Sequence, residues 1–135
     1  MNLLQSLLFW LKSLVRPRTL GQRGEAAAAR YLRRRGFRIV GRSVRSGLGE
    51  LDLVAVDGRT VVFVEVKTRR TGDQGHPAEA VDRAKQRRLT VLATAYLQRR
   101  GLLNHPARFD VVAVTWPDGR RPQVEHIRNA FEAVD

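Results

Sequence analysis

At 135 residues, 43% of them hydrophobic, the chain can bury one real core, and its formal charge of +12 sets aside cationic partners in favour of a polyanion. It has no cysteine, which excludes disulfides, thiolate nucleophiles and cysteine-ligated metal, and which fits a cytoplasmic setting. Arginine outnumbers lysine 22 to 3, and residues 1–49 hold eleven of these bases against one acid, Glu25, so nucleic acid is expected ahead of an anionic membrane.

Residues 3–15, LLQSLLFWLKSLV, place Leu4, Leu7, Leu8, Leu11, Leu14 and Val15 at helical spacing. The run is too short for a membrane span and lacks the flanks of a signal peptide. An amphipathic helix is predicted, packed on the domain or on a second subunit. Interfacial membrane contact through Trp10 and Lys12 is the minor alternative. Pro17 breaks this helix, and Thr19-x-x-Gln22 has the form of a capping box that opens a second helix over about 20–35, closed by Gly36. On it Glu25, Ala28, Ala29 and Leu32 share a face. Alone, Glu25 reads as an ordinary acid near a helix N-terminus.

The bases Arg30, Arg33, Arg34, Arg35, Arg38, Arg42 and Arg45 cross that helix end and enter a first strand, Phe37 to Arg45. Seven positives without a counter-charge repel one another, so a surface for the phosphate backbone is expected rather than a merely solvated face. Ser46-Gly47-Leu48-Gly49 reads as a mobile link. Two β-rich runs then meet at Asp57-Gly58, a strong hairpin signal. A two-residue loop there opposes Glu50 to Glu65 and Asp52 to Phe63, and a four-residue loop opposes Asp52 to Glu65. Both put Glu50, Asp52, Glu65 and Lys67 on one face, with Val62, Val64 and Val66 on the other. A solvated face tolerates such charges. Three acids facing one lysine also suit a hard divalent cation, Mg²⁺ or Mn²⁺, held by carboxylate oxygens.

Residues 69–77 read as a Gly-rich loop with a basic start at Arg69 and Arg70, in the ordinary case a plain surface loop and in the sharper one a substrate-facing flap. A long helix is predicted from Ala78 to Arg100, with Val81, Lys85, Leu89, Leu92 and Tyr96 in one stripe. Lys85 either snorkels to solvent or, with Gln86, projects past the sheet edge towards the charged hairpin face. A fourth strand, Phe109 to Trp116, a turn at Pro117-Asp118-Gly119 and a fifth strand, Gln123 to Arg128, complete the chain, with Asp110 taken as structural.

Six strings in order, GQRGEAAAARYL, GELDLVAVDG, VVFVEVKTR, AVDRAKQRRL, RFDVVAV and HIRNAF, resemble the YraN-like family of bacterial proteins, of PD-(D/E)XK endonuclease-like fold related to Holliday junction resolvases, over about residues 20–133. The resemblance implies an α/β, restriction-endonuclease-like core: a central mixed five-stranded sheet flanked by helices, in the order α-β-β-β-α-β-β. Residues 19–135 would form it, with 1–18 an extra helix and linker. It implies Asp52 and Glu65 as metal-binding carboxylates, Lys67 as the motif lysine, Glu25 as the helix acid and Gln86 as the polar residue of the next helix. Glu50 would be an outer-shell or second-metal ligand. Leu51 stands where the fold usually has proline, and Thr90 where some relatives have tyrosine.

The function expected is metal-dependent hydrolysis of DNA, probing structure rather than sequence, with Mg²⁺ or Mn²⁺ as cofactor. The run from Arg30 to Arg45, with Arg69, Arg70 and Lys85, would hold the nucleic acid. A homodimer would be needed for two symmetric cuts in a junction. The alternative is a non-catalytic nucleic-acid-binding module that retains the fold.

Overall fold

A computed structural model describes residues 2–14, 18–70, 76–77, 81–117 and 120–135. In chain order the elements are α1 (Leu3–Leu14), α2 (Leu20–Arg34), β1 (Arg38–Ser46), β2 (Gly49–Asp57), β3 (Thr60–Arg69), α3 (Arg83–Arg99), β4 (Ala107–Thr115) and β5 (Gln123–Phe131). The strands form one mixed sheet in the order β1-β2-β3-β4-β5, antiparallel throughout except for the parallel pair β3–β4, which α3 connects. This is the α/β architecture and element order expected of the core, preceded by the extra helix.

The two helices cover opposite faces. Ala28, Ala29 and Leu32 of α2 pack with Leu53, Val62, Val64 and Val112, whereas Leu89, Leu92 and Tyr96 of α3 pack with Val61, Phe63 and Val111. Period-2 alternation in β3 thus feeds two cores from one strand. The capping box opens α2 as the sequence implies: Gln22 N–H donates to Thr19 Oγ1 at 3.1 Å, and Thr19 N–H donates to Gln22 Oε1 at 2.9 Å. Gly36 follows the helix with φ +91°. Asp110, fully buried in β4, accepts from Arg108 Nε at 2.9 Å and from Asn129 N–H at 3.0 Å, and lies 2.8 Å from His126 Nε2. Burial acts to raise its pKa, but these partners outweigh it and hold the carboxyl below its usual value. Its role is structural, tying β5 to β4.

Several local expectations are corrected. The β2–β3 turn is Gly58-Arg59, because Asp57 still pairs with Thr60. Asp57 stays in its strand because its Oδ2 accepts from Arg108 at 3.1 Å and from Arg128 at 3.0 Å. The register is therefore the one expected of a four-residue loop, and the expected alternation holds from Leu53 to Asp57. The link at 46–49 is a tight turn, since Ser46 pairs with Gly49 and only Gly47 and Leu48 lie between. Helix α3 starts at Arg83, where the Asp82 side chain accepts from Lys85 N–H at 2.8 Å. Val81 is thus buried ahead of the helix, and Lys85 falls in its first turn. Strand β5 runs on to Phe131. Pro17, residues 71–75, residues 78–80 and the turn residues Asp118 and Gly119 lie outside the described residues.

Helix α1 forms as predicted, and Leu4, Leu7, Leu8 and Leu11 of its apolar stripe stay exposed. No helix among the described residues is long and apolar enough to cross a membrane.

Helix α2 meets β3 closely enough to require glycine at position 24. A Cβ there would lie 1.9 Å from Thr68 Oγ1 and 2.9 Å from Thr68 Cβ, so turning the threonine cannot relieve the clash. Gly24→Ala should cost about 1–3 kcal/mol in denaturant unfolding, since overpacking outweighs the gain of about 1 kcal/mol in helix propensity. A neutral or stabilising result would mean that α2 lies farther from β3.

Candidate metal centre

The centre begins with an interruption in the sheet. Leu51 packs in the α3-side core and Leu53 in the α2-side core, so the two-residue alternation of β2 slips at Asp52. The paired register of β2 with β3 ends one step earlier, at Leu53↔Val64. Past that point the Asp52 side chain takes over from the backbone: Val66 N–H donates to Asp52 Oδ2 at 2.9 Å. On its other side β2 pairs through Arg42↔Leu53 and Val44↔Leu51. Between those pairs stands Ser43, whose φ of +47° is unusual for a residue other than glycine. Both neighbours of the slip are therefore irregular, and Asp52 lies at its centre.

Helix α2 adds a third acid. Ser43 Oγ donates to Glu25 Oε2 at 3.3 Å, and one oxygen each of Glu25, Glu50 and Asp52 lie within 4.8 Å of one another. All three side chains are partly buried. Burial, and then the negative charge of Glu65, push the Asp52 carboxyl up to about 7, against the Val66 N–H and Lys85, which favour its ionised form. Glu25 is also raised, first by burial and then by Glu50 and Glu65, while Ser43 and Arg42 act the other way. Carboxylates under such mutual repulsion can hold a hard cation through oxygen ligands.

Each residue singled out in the sequence has a definite place. Glu65 is buried and ion-paired with the Lys85 ammonium, which the first turn of α3 brings over from the helix side. Of the four charged groups expected on one face, Glu50 and Asp52 gather with Glu25, while Glu65 pairs with Lys85 and still lies close enough to raise Asp52. Lys67 is partly buried, with no hydrogen bond or ion pair among the described residues. Gln86 donates from Nε2 to the Val81 carbonyl at 3.0 Å, steadying the start of α3. Arg45 turns its Nε to Glu50 Oε2 at 2.9 Å. Arg30, Arg33, Arg34, Arg38 and Arg42 are exposed, as is Arg70, whereas Arg69 is buried at the end of β3. Sequence reasoning missed Ser43, for which there was no signal, and Gly24, for which a glycine inside a helical pattern was one.

Residues 24–114 match the model of the uncharacterised protein family UPF0102. The chain belongs to this family. The YraN-like resemblance drawn from the six strings is borne out by the match. A UPF0102 protein of Geobacter sulfurreducens is 53% identical over 113 residues, covering 84% of this chain and 88% of the relative. One from Symbiobacterium thermophilum is 54% identical over 117 residues, 86% and 98% of the two chains. One from Rhodococcus jostii is 52% identical over 112 residues, 83% and 95%. Glu25, Glu50, Asp52, Glu65, Lys67 and Lys85 all fall inside the segment matched to UPF0102, and α1 falls outside it.

The raised pKa of Asp52 has a consequence for the stability of this UPF0102 chain. A folded-state pKa of about 7 against 3.8 for the free side chain means that the native state binds the proton more tightly than the unfolded chain. Stability from this group therefore falls as pH rises from about 4 through 7, and the cost is complete above that. Asp52→Asn cannot ionise. In metal-free thermal or urea unfolding it should be more stable than the wild type at pH 8, by on the order of 1–2 kcal/mol. The gap should close towards pH 5. A constant gap would mean that Asp52 titrates as an ordinary carboxylate.

Proposed function

We propose that this protein is a divalent-metal-dependent nuclease that hydrolyses DNA phosphodiester bonds, selecting its substrate by structure rather than by base sequence. The observation that carries the proposal is the gathering of Glu25, Glu50 and Asp52 oxygens within 4.8 Å, with Glu65 close enough to raise Asp52, in a chain of net charge +12. Such repulsion works against folding, and an added cation turns it into affinity. Glu25, Glu50 and Asp52 would hold Mg²⁺ or Mn²⁺, with Glu65 as a fourth carboxylate. When bound, the ion would polarise a phosphoryl oxygen and lower the pKa of a water.

The chain's own groups do the rest. Val66 N–H fixes the Asp52 carboxylate, and Ser43 orients Glu25. Lys67 keeps its donors for the charge that grows on the phosphoryl oxygens, a compact ammonium where arginine's fork would not substitute. Lys85 restrains Glu65. The exposed arginines of α2 and β1 supply backbone affinity that weakens with salt, and contacts of this kind carry no base readout. A cytoplasmic setting and a homodimer for paired cuts belong to the same proposal.

A second reading has its own support: Arg45 on Glu50 and Lys85 on Glu65 already neutralise two of the four acids. The protein would then bind nucleic acid without cutting it.

Branched, flapped, single-stranded and plain duplex DNA incubated with Mg²⁺ or Mn²⁺ would separate the two. The nuclease reading expects cleavage of a branched or flapped substrate, abolished by chelation and reduced about 100-fold or more by Asp52→Asn or Lys67→Ala. Intact DNA across the whole panel, with binding that ignores metal, supports the second reading.

A further inference from the structure

The flank of α2 that faces away from the acids carries a groove of different chemistry. A cavity of about 750 Å³ lies between α2 and the start of β5, lined by Arg30, Arg34, Arg35 and Arg121 with the Tyr31 ring. It adjoins a second cavity of about 410 Å³, lined by Arg18, Arg23 and Trp116, and the two share Arg30 and Pro122. Among the described residues no acid lines either cavity. At 100° per residue, Arg23, Arg30 and Arg34 stand roughly 140–180° around the helix from Glu25. The groove and the acidic centre thus occupy opposite flanks of one helix.

Two features distinguish the groove from a scatter of surface arginines. It is concave, and it holds two aromatic rings, each with a guanidinium over its face: Arg35 lies 4.4 Å from the Tyr31 centroid and Arg23 lies 4.9 Å from the Trp116 centroid. Planar cations stacked on rings offer both a phosphate contact and a platform for a base. A duplex keeps its base faces inside and offers only phosphates to such a surface, whereas a single strand can place bases on the platforms while its backbone tracks the charge. The span from Arg23 to Arg34 is about 16 Å along the helix, matching on the order of five stacked nucleotides.

We propose that the α2–β5 groove is a binding site for single-stranded nucleic acid, separate from the acidic centre, so that an unpaired tail is held on one flank of α2 while the acids face the other. This rests on the polynucleotide partner of the preceding reading but not on hydrolysis, so the test is made in a chelator. Fluorescence anisotropy would compare a labelled oligothymidylate of about ten nucleotides with a duplex of equal length. The wild type should favour the single strand, and Tyr31→Leu with Trp116→Leu should weaken it about tenfold or more while changing duplex binding by less than about twofold. Because both rings are partly packed against the α2-side core, a second variant uses exposed positions: Arg35→Gln with Arg121→Gln should weaken the single strand by a clearly larger factor than the duplex. Equal loss for both DNAs in the exposed-site variant, or unchanged single-strand affinity in a ring variant that still melts cooperatively, overturns the groove while leaving nucleic-acid binding in place. A wild type that binds neither DNA overturns both.

Discussion

The arrangement depends on one exchange of hydrogen-bond partners: at Asp52 the sheet gives up a backbone contact, and a carboxylate receives Val66 N–H in its stead. A buried N–H must be satisfied, so two separating strands need a side chain to bridge them. An aspartate does so at an electrostatic cost, because burial and the charge of Glu65 raise its pKa to about 7. The slip in β2 puts Glu50 beside Glu25, and the left-handed Ser43 across the register holds Glu25 in turn. Backbone strain and like-charge crowding thus coincide at one point in an otherwise regular sheet. Departures of that kind concentrate where a protein trades stability for chemistry.

Position, more than composition, lets three distant parts of the chain meet there. Helix α2 carries Glu25 within reach because Gly24 allows the helix to ride on Thr68. Helix α3 delivers Lys85 because Asp82 starts the helix only three residues earlier. Far from the centre, Asp57 and Asp110 anchor Arg108, Arg128 and His126, so β5 and the distal end of the β2–β3 hairpin are fixed independently. The two polar clusters differ in kind. Asp110 is surrounded by donors and held ionised, while Asp52 is crowded by acids and held partly protonated. The first stabilises the fold, and the second costs stability at the place proposed above to hold a cation.

Much of this was legible because it is local. The capping box of α2, the glycine that ends it and the alternation of the hairpin from Leu53 to Val64 all follow from short-range patterns. What the sequence did not disclose depended on long-range partners. The hairpin register shifted by two because Arg108 and Arg128 hold Asp57 in its strand. By its local pattern Glu25 is an ordinary helix acid; only the family resemblance singles it out, and tertiary contact brings it to Glu50 and Asp52. Ser43 gave no sign of its left-handed backbone, since serine is not a usual carrier of positive φ. The apolar stripe of α1 predicted a helix but not its surroundings, and the domain leaves most of that stripe exposed.

The central claim is that Glu25, Glu50 and Asp52 form a divalent-cation site. Calorimetric titration of the DNA-free protein with Mn²⁺ at pH 8, comparing wild type with Glu25→Gln, Glu50→Gln and Asp52→Asn, tests it without any assumption about substrate. One site of millimolar or tighter affinity is expected, weakened about tenfold or more by each substitution. A wild type that binds Mn²⁺ no better than the triple variant would contradict it.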